Sequence, residues 1–302
     1  MLKKIKNIFI SIITYEERFN KIDLALGRIE SRQCKSIDSK DILDYEFKVS
    51  SQWGEDGIIQ YLVNNIEIEN KIFVEFGVEK YTESNTRFLL QNNNWKGLVL
   101  DGSEENINYI KNDPIYWRYN LKAECAFIDK DNINDLISRN GISGDIGILS
   151  VDIDGNDYWV WEAIDCISPR IVICEYNSHF GSKNKVSVPY DKSFVRNQKH
   201  YSNIYYGASI AAFEYLAIKK GYSLITSNSS GNNVFFVRND LLKNLKVSSS
   251  EEAYQTAQFR ESRNPEGILT FNSIEENLNV LKDMDIVDVE KMKTIKIEQL
   301  IK

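Results

Sequence analysis

Residues 71–78 read KIFVEFGV, an apolar run that closes on an acidic residue, Glu75, and a glycine, Gly77. Similar β-rich runs recur along the chain with helical stretches between them, which is the rhythm of a parallel sheet with crossover helices. Such a repeat predicts a doubly wound α/β fold whose ligand lies beyond the carboxyl ends of the strands. The predicted strands are Lys71–Phe76, Gly97–Asp101, Ala123–Ile128, Ile146–Val151 and Arg170–Tyr176.

The predicted sheet ends in an antiparallel hairpin. After a helix-like stretch, Ala208–Lys219, two more β-rich runs, Tyr222–Thr226 and Val234–Arg238, are joined by a turn that contains Gly231-Asn232. Such a pair between two β-rich runs is typical of a hairpin turn. We therefore expect an N-terminal helical extension over residues 1–50, an α/β domain over 51–245 and a C-terminal helical extension over 246–302.

The charge balance argues against a nucleic-acid partner. The 302 residues carry 37 Lys and Arg against 44 Asp and Glu, a net charge of −7, and nucleic-acid affinity would need a basic face. A hydrophobic content of 42% is enough to fill a core. The four cysteines form no CxxC pair, and three of them lie in or beside apolar runs, which predicts a reducing, cytoplasmic setting. They are Cys34, Cys125, Cys166 and Cys174.

The first 31 residues predict an amphipathic helix, because apolar side chains recur there at helical spacing. The helix either packs on the main domain or on a second copy of the chain, as in a homodimer, or it rests on a membrane with its early lysines facing anionic lipid. No stretch approaches the roughly 20 apolar residues that span a bilayer. The apolar positions are Ile5, Ile8, Phe9, Ile12, Tyr15, Phe19, Ile22, Leu26 and Ile29, and the lysines are Lys3, Lys4 and Lys6.

The first two predicted strands end in residues that suit a nucleoside. Glu75 could accept hydrogen bonds from a ribose or an ammonium group, and Gly77 lets the backbone approach a ligand closely. Glu79 and Lys80 stand where a GxGxxG motif would have glycines. Since Glu79 would repel a pyrophosphate, the pattern favours a cofactor without phosphates.

Asp101 follows Gly77 by 24 residues, the interval expected of a ribose-binding acidic residue. Alternatively Asp101 caps the next helix, a role for which Ser103 competes. Asp129, after the third strand, would either reach an adenine amino group or cap the helix that follows it. Asp101, Ser103 and Asp129 are therefore cofactor-binding candidates.

The fourth strand runs into Asp152-Ile153-Asp154-Gly155-Asn156-Asp157, the densest acidic cluster of the chain. Asp152 and Asp154 would lie on one side and bind a hard cation such as Mg²⁺ or the positive end of a ligand. The alternative is a turn with capping aspartates. Glu175 and Asn177, after the fifth strand, would complete an oxygen-rich metal shell or bind acceptor hydroxyls.

His179 would lie above the carboxyl edge of the sheet, where its ordinary pKa suits a general base. The stretch 178–206 that follows reads as a long loop with five basic residues and one acidic residue, which predicts a lid that receives an anionic acceptor; the alternative is an ordinary solvated loop. Its charged residues are Lys183, Lys185, Lys192, Arg196 and Lys199, opposed by Asp191, and Tyr190 and His200 are further substrate-binding candidates.

Over roughly residues 50–240 the sequence resembles the FkbM-type branch of S-adenosylmethionine-dependent methyltransferases. No single segment is diagnostic, and the order and spacing of the segments carry the resemblance. The segments are Ser51–Ile59 (SQWGEDGII), Phe73–Val78 (FVEFGV), Asn94–Gly97 with Asp101, Val151–Tyr158 (VDIDGNDY), Tyr206–Ser209, Gly221-Tyr222 and Gly231–Val237.

The resemblance implies a class I methyltransferase fold, S-adenosylmethionine as methyl donor and O-methylation of a hydroxyl on a sugar, a glycan precursor or a related metabolite. It implies that Glu75 and Gly77 meet the methionine portion and Asp101 the ribose, with Asp152 near the sulfonium. Mg²⁺ would be held by Asp152, Asp154 or Glu175. His179 or a metal-bound alkoxide would then remove the hydroxyl proton.

Two other functions compete with this one. In a nucleotide-sugar glycosyltransferase, Asp152-Ile153-Asp154 would be a DxD motif that holds a metal against the diphosphate, but Glu75, Gly77 and Asp101 suit an adenosine cofactor better. In a non-catalytic protein, the same fold would bind S-adenosylmethionine or a glycan without turnover.

Overall fold

The computed structural model describes residues 2–301, with side chains described from residue 18 onward. The strands are β1 (Ile72–Phe76), β2 (Lys96–Asp101), β3 (Leu121–Cys125), β4 (Gly144–Val151), β5 (Ile167–Glu175), β6 (Val186–Ser187), β7 (Tyr222–Ser227), β8 (Asn233–Arg238), β9 (Asp285–Asp288) and β10 (Lys293–Lys296).

Seven of these strands form one sheet in the order β3-β2-β1-β4-β5-β8-β7. The first five strands run parallel, whereas β8 is antiparallel to both β5 and β7. The predicted doubly wound sheet with a terminal antiparallel hairpin is therefore confirmed, and this is the layout of the class I methyltransferase fold. Because the order reverses between β1 and β4, the ligand crevice of such a sheet opens above these two strands.

Helices cover both faces of the sheet. The α-helices are α1 (Leu2–Cys34), α2 (Glu55–Asn65), α3 (Arg87–Asn93), α4 (Glu104–Asn112), α5 (Pro114–Arg118), α6 (Ile133–Arg139), α7 (Asp157–Ala163), α8 (Arg196–Lys199), α9 (Ile210–Lys220), α10 (Ser250–Ala253) and α11 (Ile274–Val280). Short 3-10 helices cover Ile42–Tyr45, Ser178–Phe180, Asn239–Leu241 and Ile297–Leu300.

Successive strand residues supply two cores, one on each face of the sheet. In β1, Phe73 joins one buried cluster and Val74 the other, because neighbouring side chains of a strand point to opposite faces. Both faces are thus apolar, as expected of parallel strands covered on two sides. The polar side chains that could bind a ligand therefore belong to residues at or after the strand ends.

The C-terminal part of the chain differs from the predicted helical extension. Beyond residue 250 it contains two short helices, α10 and α11, together with β9 and β10. β9 pairs with β10 and with β6 in a second, three-stranded sheet. Residues 178–206, which hold β6, are therefore built into the fold by the C-terminal strands.

The N-terminal helix α1 is confirmed as a helix. Its C-terminal half contacts α2 and α3 of the main domain. The side chains of Lys3, Lys4 and Lys6, on which the membrane alternative depends, lie outside the residues whose side chains are described. Among the described residues, no helix combines the length and the apolar character needed to cross a bilayer.

Candidate active site

A cleft opens where the ends of β1, β2 and β4 meet, and it holds a cavity of about 170 Å³, here called the cleft cavity. This is the place where a doubly wound sheet binds its ligand. The walls combine carboxylates, glycines and aromatic rings. The lining residues are Gly77, Glu79, Asp101, Gly102, Ala126, Phe127, Ile128, Asp152, Ile153, Asp154, Asn156 and Phe194.

Gly77 brings the ends of β1 and β4 together. Its φ is +66°, and a Cβ at this position would lie 1.7 Å from the carbonyl oxygen of Asp152. The left-handed conformation favours glycine, and the close approach excludes any side chain. The floor of the cleft cavity therefore depends on this residue.

Asp101 is held rigidly at the end of β2. Its Oδ2 accepts the N–H of Glu79 at 2.7 Å, and its Oδ1 accepts the N–H of Ser103 at 2.8 Å. Ser103 caps α4 through its own hydroxyl, which accepts the N–H of Asn106 at 3.3 Å. Asp101 is thus a fixed acceptor on the cavity wall, whereas the hydroxyl of Ser103 serves the helix.

Two aromatic rings flank the cleft cavity. Phe127 lies after β3 and is about half exposed, at 51%. Phe194 packs on the turn after β4, where a Cβ on Gly155 would come within 2.2 Å of its ring. Flat apolar rings beside a carboxylate suit a ligand that has a planar base and a hydroxyl-bearing sugar.

A second cavity of about 280 Å³, the carboxylate cavity, adjoins the first. Both cavities are lined by Gly77, Glu79, Asp152 and Asp154, so one ligand could occupy both. The remaining lining residues are Gln52, Glu75, Phe76, Val78, Glu83, Ser84, Asn85, Glu175, Arg196 and Asn233.

Glu75 shapes this cavity through the backbone. Its carboxylate accepts the N–H of Asn85 at 2.8 Å and the N–H of Thr86 at 3.1 Å, together with the hydroxyl of Thr86. Burial raises the pKa of Glu75 even though these hydrogen bonds oppose the shift. The side chain is therefore occupied by the loop before α3, and a direct contact with a ligand is left to its neighbours.

Asp152, Asp154 and Glu175 form an acidic cluster in which oxygens of all three lie within 4.8 Å of one another. Glu175 is only 9% exposed, and among the described residues nothing hydrogen-bonds its Oε2. Burial, and then repulsion from Asp152, raises the pKa of Glu175 well above its usual range. Burial, and then the charge of Asp154, does the same to Asp152. The cluster therefore fits a cation.

Asp157 takes the turn-forming role that was the alternative for this cluster. Its two carboxylate oxygens accept the N–H groups of Ile153 at 2.7 Å and Gly155 at 2.9 Å. Burial raises its pKa to about 6. Because Asp157 closes the turn, Asp152 and Asp154 are held together without closing it themselves.

Arg196 supplies the positive charge nearest to the cluster. Its guanidinium donates to Asp154 Oδ1 at 2.7 Å and also pairs with Glu261, and it lies 3.6 Å from the centre of the Tyr206 ring. Arg196 was expected to bind a substrate, and it does line the carboxylate cavity. Glu261 had no signal in the sequence, because it follows a region without recognisable motifs.

His179 lies in a different setting from the one predicted. Its Nδ1 is 2.8 Å from Asn177 Oδ1 and its Nε2 is 2.9 Å from Asn277 Nδ2. Burial, with the nearby charge of Arg196, lowers its pKa to about 4. The residue lines neither the cleft cavity nor the carboxylate cavity, but a third cavity of about 400 Å³. Its low pKa and the hydrogen bonds of both ring nitrogens do not favour the predicted role as general base.

Asn177 is likewise occupied by the fold. Its Nδ2 donates to the carbonyl oxygens of Ile204 at 2.9 Å and Tyr206 at 3.0 Å, and the residue is fully buried. Neither the predicted metal shell nor the predicted substrate contact is within its reach. Asn177 instead ties the end of β5 to the segment before α9.

The basic residues of 178–206 are not free to receive an anionic acceptor, because each has a carboxylate partner. The segment is also no open loop, since Phe180, Val188 and Phe194 join a buried apolar cluster. The predicted lid is corrected on both counts. The pairs are Lys183–Glu251, Lys185–Glu290, Lys192–Asp129, Arg196–Asp154 and Lys199–Asp191.

Asp129, Tyr190 and His200 lie outside the lining of both cavities. Asp129 accepts the backbone N–H of Asn132 at 2.9 Å at the start of α6 and pairs with Lys192, so its helix-end alternative describes its contacts. His200 Nδ1 is 2.6 Å from the hydroxyl of Ser202. The structure does not bring these three residues to the predicted ligand.

Gln52 is a wall residue that residue-by-residue reasoning missed. It lies in the SQWGEDGII segment, and its Oε1 accepts Asn232 Nδ2 at 3.2 Å. The neighbouring Glu55 fixes this segment to the hairpin through Asn228 at 2.6 Å and Asn233 at 2.9 Å. The motif thus carried the signal, although its chemistry was not apparent.

Three solved structures have a similar fold. A putative caffeoyl-CoA O-methyltransferase from Staphylococcus aureus is 15% identical, with a TM-score of 0.39, over 61% of this chain and 82% of that one. A S-adenosylmethionine-dependent methyltransferase from Clostridium acetobutylicum is 13% identical, with a TM-score of 0.40, over 61% of this chain and 90% of that one. An O-methyltransferase from Bacillus cereus is 12% identical, with a TM-score of 0.40, over 72% of this chain and 91% of that one.

No protein-family model matches the sequence, and a search of curated proteins found no match. The likeness to the solved structures is one of fold alone.

Proposed function

We propose that the protein is an S-adenosylmethionine-dependent O-methyltransferase. One observation carries the proposal: a cavity with the walls of a nucleoside site runs into a cluster of carboxylates that lacks a full set of partners. The ligand that fits both must have a nucleoside at one end and a positive charge at the other. S-adenosylmethionine has both, and its sulfonium would relieve the repulsion between Asp152 and Glu175.

The cleft cavity disfavours a cofactor with phosphates. Glu79 and Asp101 both line it, and two carboxylates next to a diphosphate would repel it. No described lysine or arginine lines the cleft cavity. Asp101 is instead placed to accept ribose hydroxyls, and Phe127 to contact the base.

When bound, S-adenosylmethionine supplies a methyl group carried on a positively charged sulfur. The chain's own residues have to hold the acceptor hydroxyl and take its proton. We propose Glu175 for the second task, because it lines the carboxylate cavity and its Oε2 is buried without a hydrogen-bond partner among the described residues. We assign to Glu175, in place of His179, the role of general base.

The binding of Mg²⁺ by the acidic cluster is a separate prediction. Asp152, Asp154 and Glu175 have the spacing and the oxygen donors that it prefers. Arg196, however, already neutralises Asp154, and a sulfonium would neutralise Asp152. We therefore propose that methyl transfer persists when a chelator is present. Activity that is lost in EDTA and regained with Mg²⁺ would contradict this proposal.

We propose a sugar hydroxyl as the methyl acceptor, and a third cavity, of about 400 Å³, supports this class. Glu261 lines both this acceptor cavity and the groove beside Arg196. Carboxylates and amides next to the rings of Phe259 and the exposed Phe271 suit the hydroxyl groups and apolar faces of a sugar. The walls include Phe259, Phe271, Glu261, Ser273, Asn277 and His179.

The wall of the acceptor cavity contains a buried oxygen that lacks a hydrogen-bond donor. Asn177 donates through Nδ2 to two carbonyls, so its Oδ1 must face a proton on His179 Nδ1. His179 Nε2 then carries a lone pair, and Asn277 must turn its Nδ2 toward it. Asn277 Oδ1 is left buried without a partner, as a hydroxyl-bearing ligand would require.

The resemblance to FkbM-type methyltransferases, carried by the motif order between residues 50 and 240, supports the same proposal at a finer level. The first test is calorimetric titration of the full chain with S-adenosylmethionine, S-adenosylhomocysteine and a nucleotide sugar, each with and without Mg²⁺. We expect micromolar binding of the two adenosyl ligands. Binding of the nucleotide sugar alone, and only with metal, would overturn the proposal.

A matched variant separates the two ends of the ligand. Asp152→Asn removes charge next to the proposed sulfonium, so it should weaken S-adenosylmethionine about tenfold or more and leave the uncharged homocysteine form nearly unaffected. Equal loss for both ligands would mean that Asp152 does not face the sulfonium. Acceptors are then screened by mass spectrometry for a methyl gain on sugars and glycan precursors.

A further inference from the structure

Helix α1 has two faces with opposite character. One face packs on the main domain: the hydroxyl of Ser31 donates to Gln60 Oε1 at 3.1 Å, and a Cβ on Gly27 would lie 2.3 Å from Val49 Cγ2. Small residues at this face let α1 lie close against the main domain. This face of α1 is therefore covered by the main domain.

The opposite face of α1 is apolar and exposed. Phe19, Ile22, Leu26 and Ile29 are exposed by 60%, 52%, 53% and 48%. Their spacing of three, four and three residues puts them in one stripe along the helix. Within the described residues no other element covers this stripe, and a contiguous apolar stripe marks an interaction surface.

The sequence continues the same stripe toward the N-terminus. Apolar residues recur at steps of three and four from Ile5 to Ile29, which fits the a/d pattern of a coiled coil. Phe9, Ile10, Ile13 and Leu24 are further apolar residues outside the a and d positions. A strict seven-residue repeat of this kind is matched by a second helix with the same repeat. The a positions are Ile5, Ile12, Phe19 and Leu26, and the d positions are Ile8, Tyr15, Ile22 and Ile29.

Charges beside the stripe identify the partner. In this register the e positions from the second heptad onward are acidic, and the charged g positions are basic. In a parallel pair of identical helices, g of one copy meets e of the next heptad in the other, so Arg18 faces Asp23 of a neighbouring copy. An antiparallel pair would place like charges together. The e residues are Glu16, Asp23 and Glu30, and the g residues are Lys4, Arg18 and Arg32.

We propose that α1 joins copies of this chain in a parallel, in-register coiled coil. Isoleucine at three of the four d positions favours three or more strands over two.

Sedimentation of the full chain without detergent tests the proposal. The unaltered protein should sediment at two or more times the 35.0 kDa of one chain. Ile22→Asp combined with Leu26→Asp should weaken association at least about 100-fold. Ile218→Asp removes an equally exposed aliphatic residue of α9, at 67% exposure, and should leave association unchanged. A monomeric unaltered chain, or assembly that survives the double substitution, overturns the proposal.

A charge exchange tests orientation. Arg18→Glu alone and Asp23→Arg alone should each weaken association severalfold, and the two together should restore it, because the parallel g–e pair is re-formed with reversed sign. Failure of the combined variant to recover overturns the parallel arrangement. A monomer that pellets only with anionic vesicles would assign the stripe to a membrane instead. Far-ultraviolet circular dichroism and binding of S-adenosylhomocysteine verify that every variant is folded.

Discussion

Two buried glutamates, Glu75 on β1 and Glu175 on β5, lie at the same edge of the sheet but differ in their hydrogen bonding. Glu75 accepts hydrogen bonds from Asn85 and from Thr86, whereas Glu175 has an oxygen with no partner. Burial raises the pKa of both. The difference teaches that residue type and burial do not define a functional carboxylate. Between these two glutamates, the backbone donors distinguish the carboxylate that holds a loop from the one that keeps an oxygen without a partner.

The largest effect should come from the backbone contact that joins the two halves of this edge. Gly77→Ala should lower the free energy of unfolding by about 4 kcal/mol or more, because its Cβ would overlap the carbonyl of Asp152. Gly144→Ala is the matched control, since Gly144 has a similar φ of +67° with nothing within 4 Å, and should cost about 1–2 kcal/mol. Urea denaturation measures both, and equal losses would show that conformation alone accounts for Gly77.

The next effect concerns ligand contact on the Glu75 side. Asp101→Ala should weaken S-adenosylmethionine binding by about 10- to 100-fold, because a charged acceptor on the wall of the cleft cavity is lost. Asp129→Ala, which removes a carboxylate with comparable backbone contacts outside that wall, should leave affinity nearly unchanged. Calorimetry decides, and an equal loss in both variants would place Asp129 at the ligand after all.

A smaller effect, with opposite signs, should follow one substitution made on each glutamate. Glu75→Gln should lower the free energy of unfolding by about 1–3 kcal/mol, because an amide N–H₂ would face the N–H groups of Asn85 or Thr86. Glu175→Gln should raise it, and more so at higher pH, because an amide replaces a buried carboxyl group whose ionised form is repelled by Asp152. Thermal denaturation without metal measures both, and a loss of stability in each would erase the contrast.

The sign of the pH dependence follows from the raised pKa of Glu175. Protonated Glu175 favours the folded state, so its contribution is complete below the unfolded carboxyl pKa of about 4 and is lost as pH rises toward the higher folded pKa. The unaltered protein should therefore lose stability from pH 5 to 8 more steeply than Glu175→Gln. Added Mg²⁺ that raises the melting temperature of the unaltered protein alone would assign the ion to this cluster.

The smallest effect is expected at His179. His179→Gln should change kcat by less than about threefold, whereas loss of a general base costs about 10²- to 10⁴-fold. Because the pKa of His179 is lowered to about 4, kcat should also show no histidine inflection between pH 6 and 7. A large fall in kcat at unchanged stability would return the histidine to catalysis and remove Glu175 from that role.

The fold could be predicted because its strands are apolar runs that end in acidic or turn-forming residues. β4 and β5 were predicted to within a few residues, and the hairpin turn at Gly231-Asn232 joins β7 to β8 as expected. The parallel direction of β1 to β5 followed from the alternation of helix and strand. β9 and β10 could not be predicted, because their short, charged sequences become strands only through pairing with each other and through pairing of β9 with β6.

The candidate site could be predicted in position more than in role. The sequence placed Asp152, Asp154 and Glu175 at adjacent strand ends, and their oxygens do meet there. It could not show that His179 lies between two asparagines, since Asn277 is distant in the chain. It also could not show that the lysines of 178–206 find partners in remote carboxylates, such as Glu251 and Glu290. Roles depend on such long-range partners.

The pairing of β6 with β9 has a consequence for synthesis on the ribosome. The seven strands of the main sheet are translated before β9 and β10, so β6 and Arg196 leave the exit tunnel while β9 and Glu261 are still missing. During that interval the acidic cluster has no completed arginine network over it. A nascent chain would thus complete its main sheet before its arginine network, which delays any turnover until Glu261 and β9 have been translated.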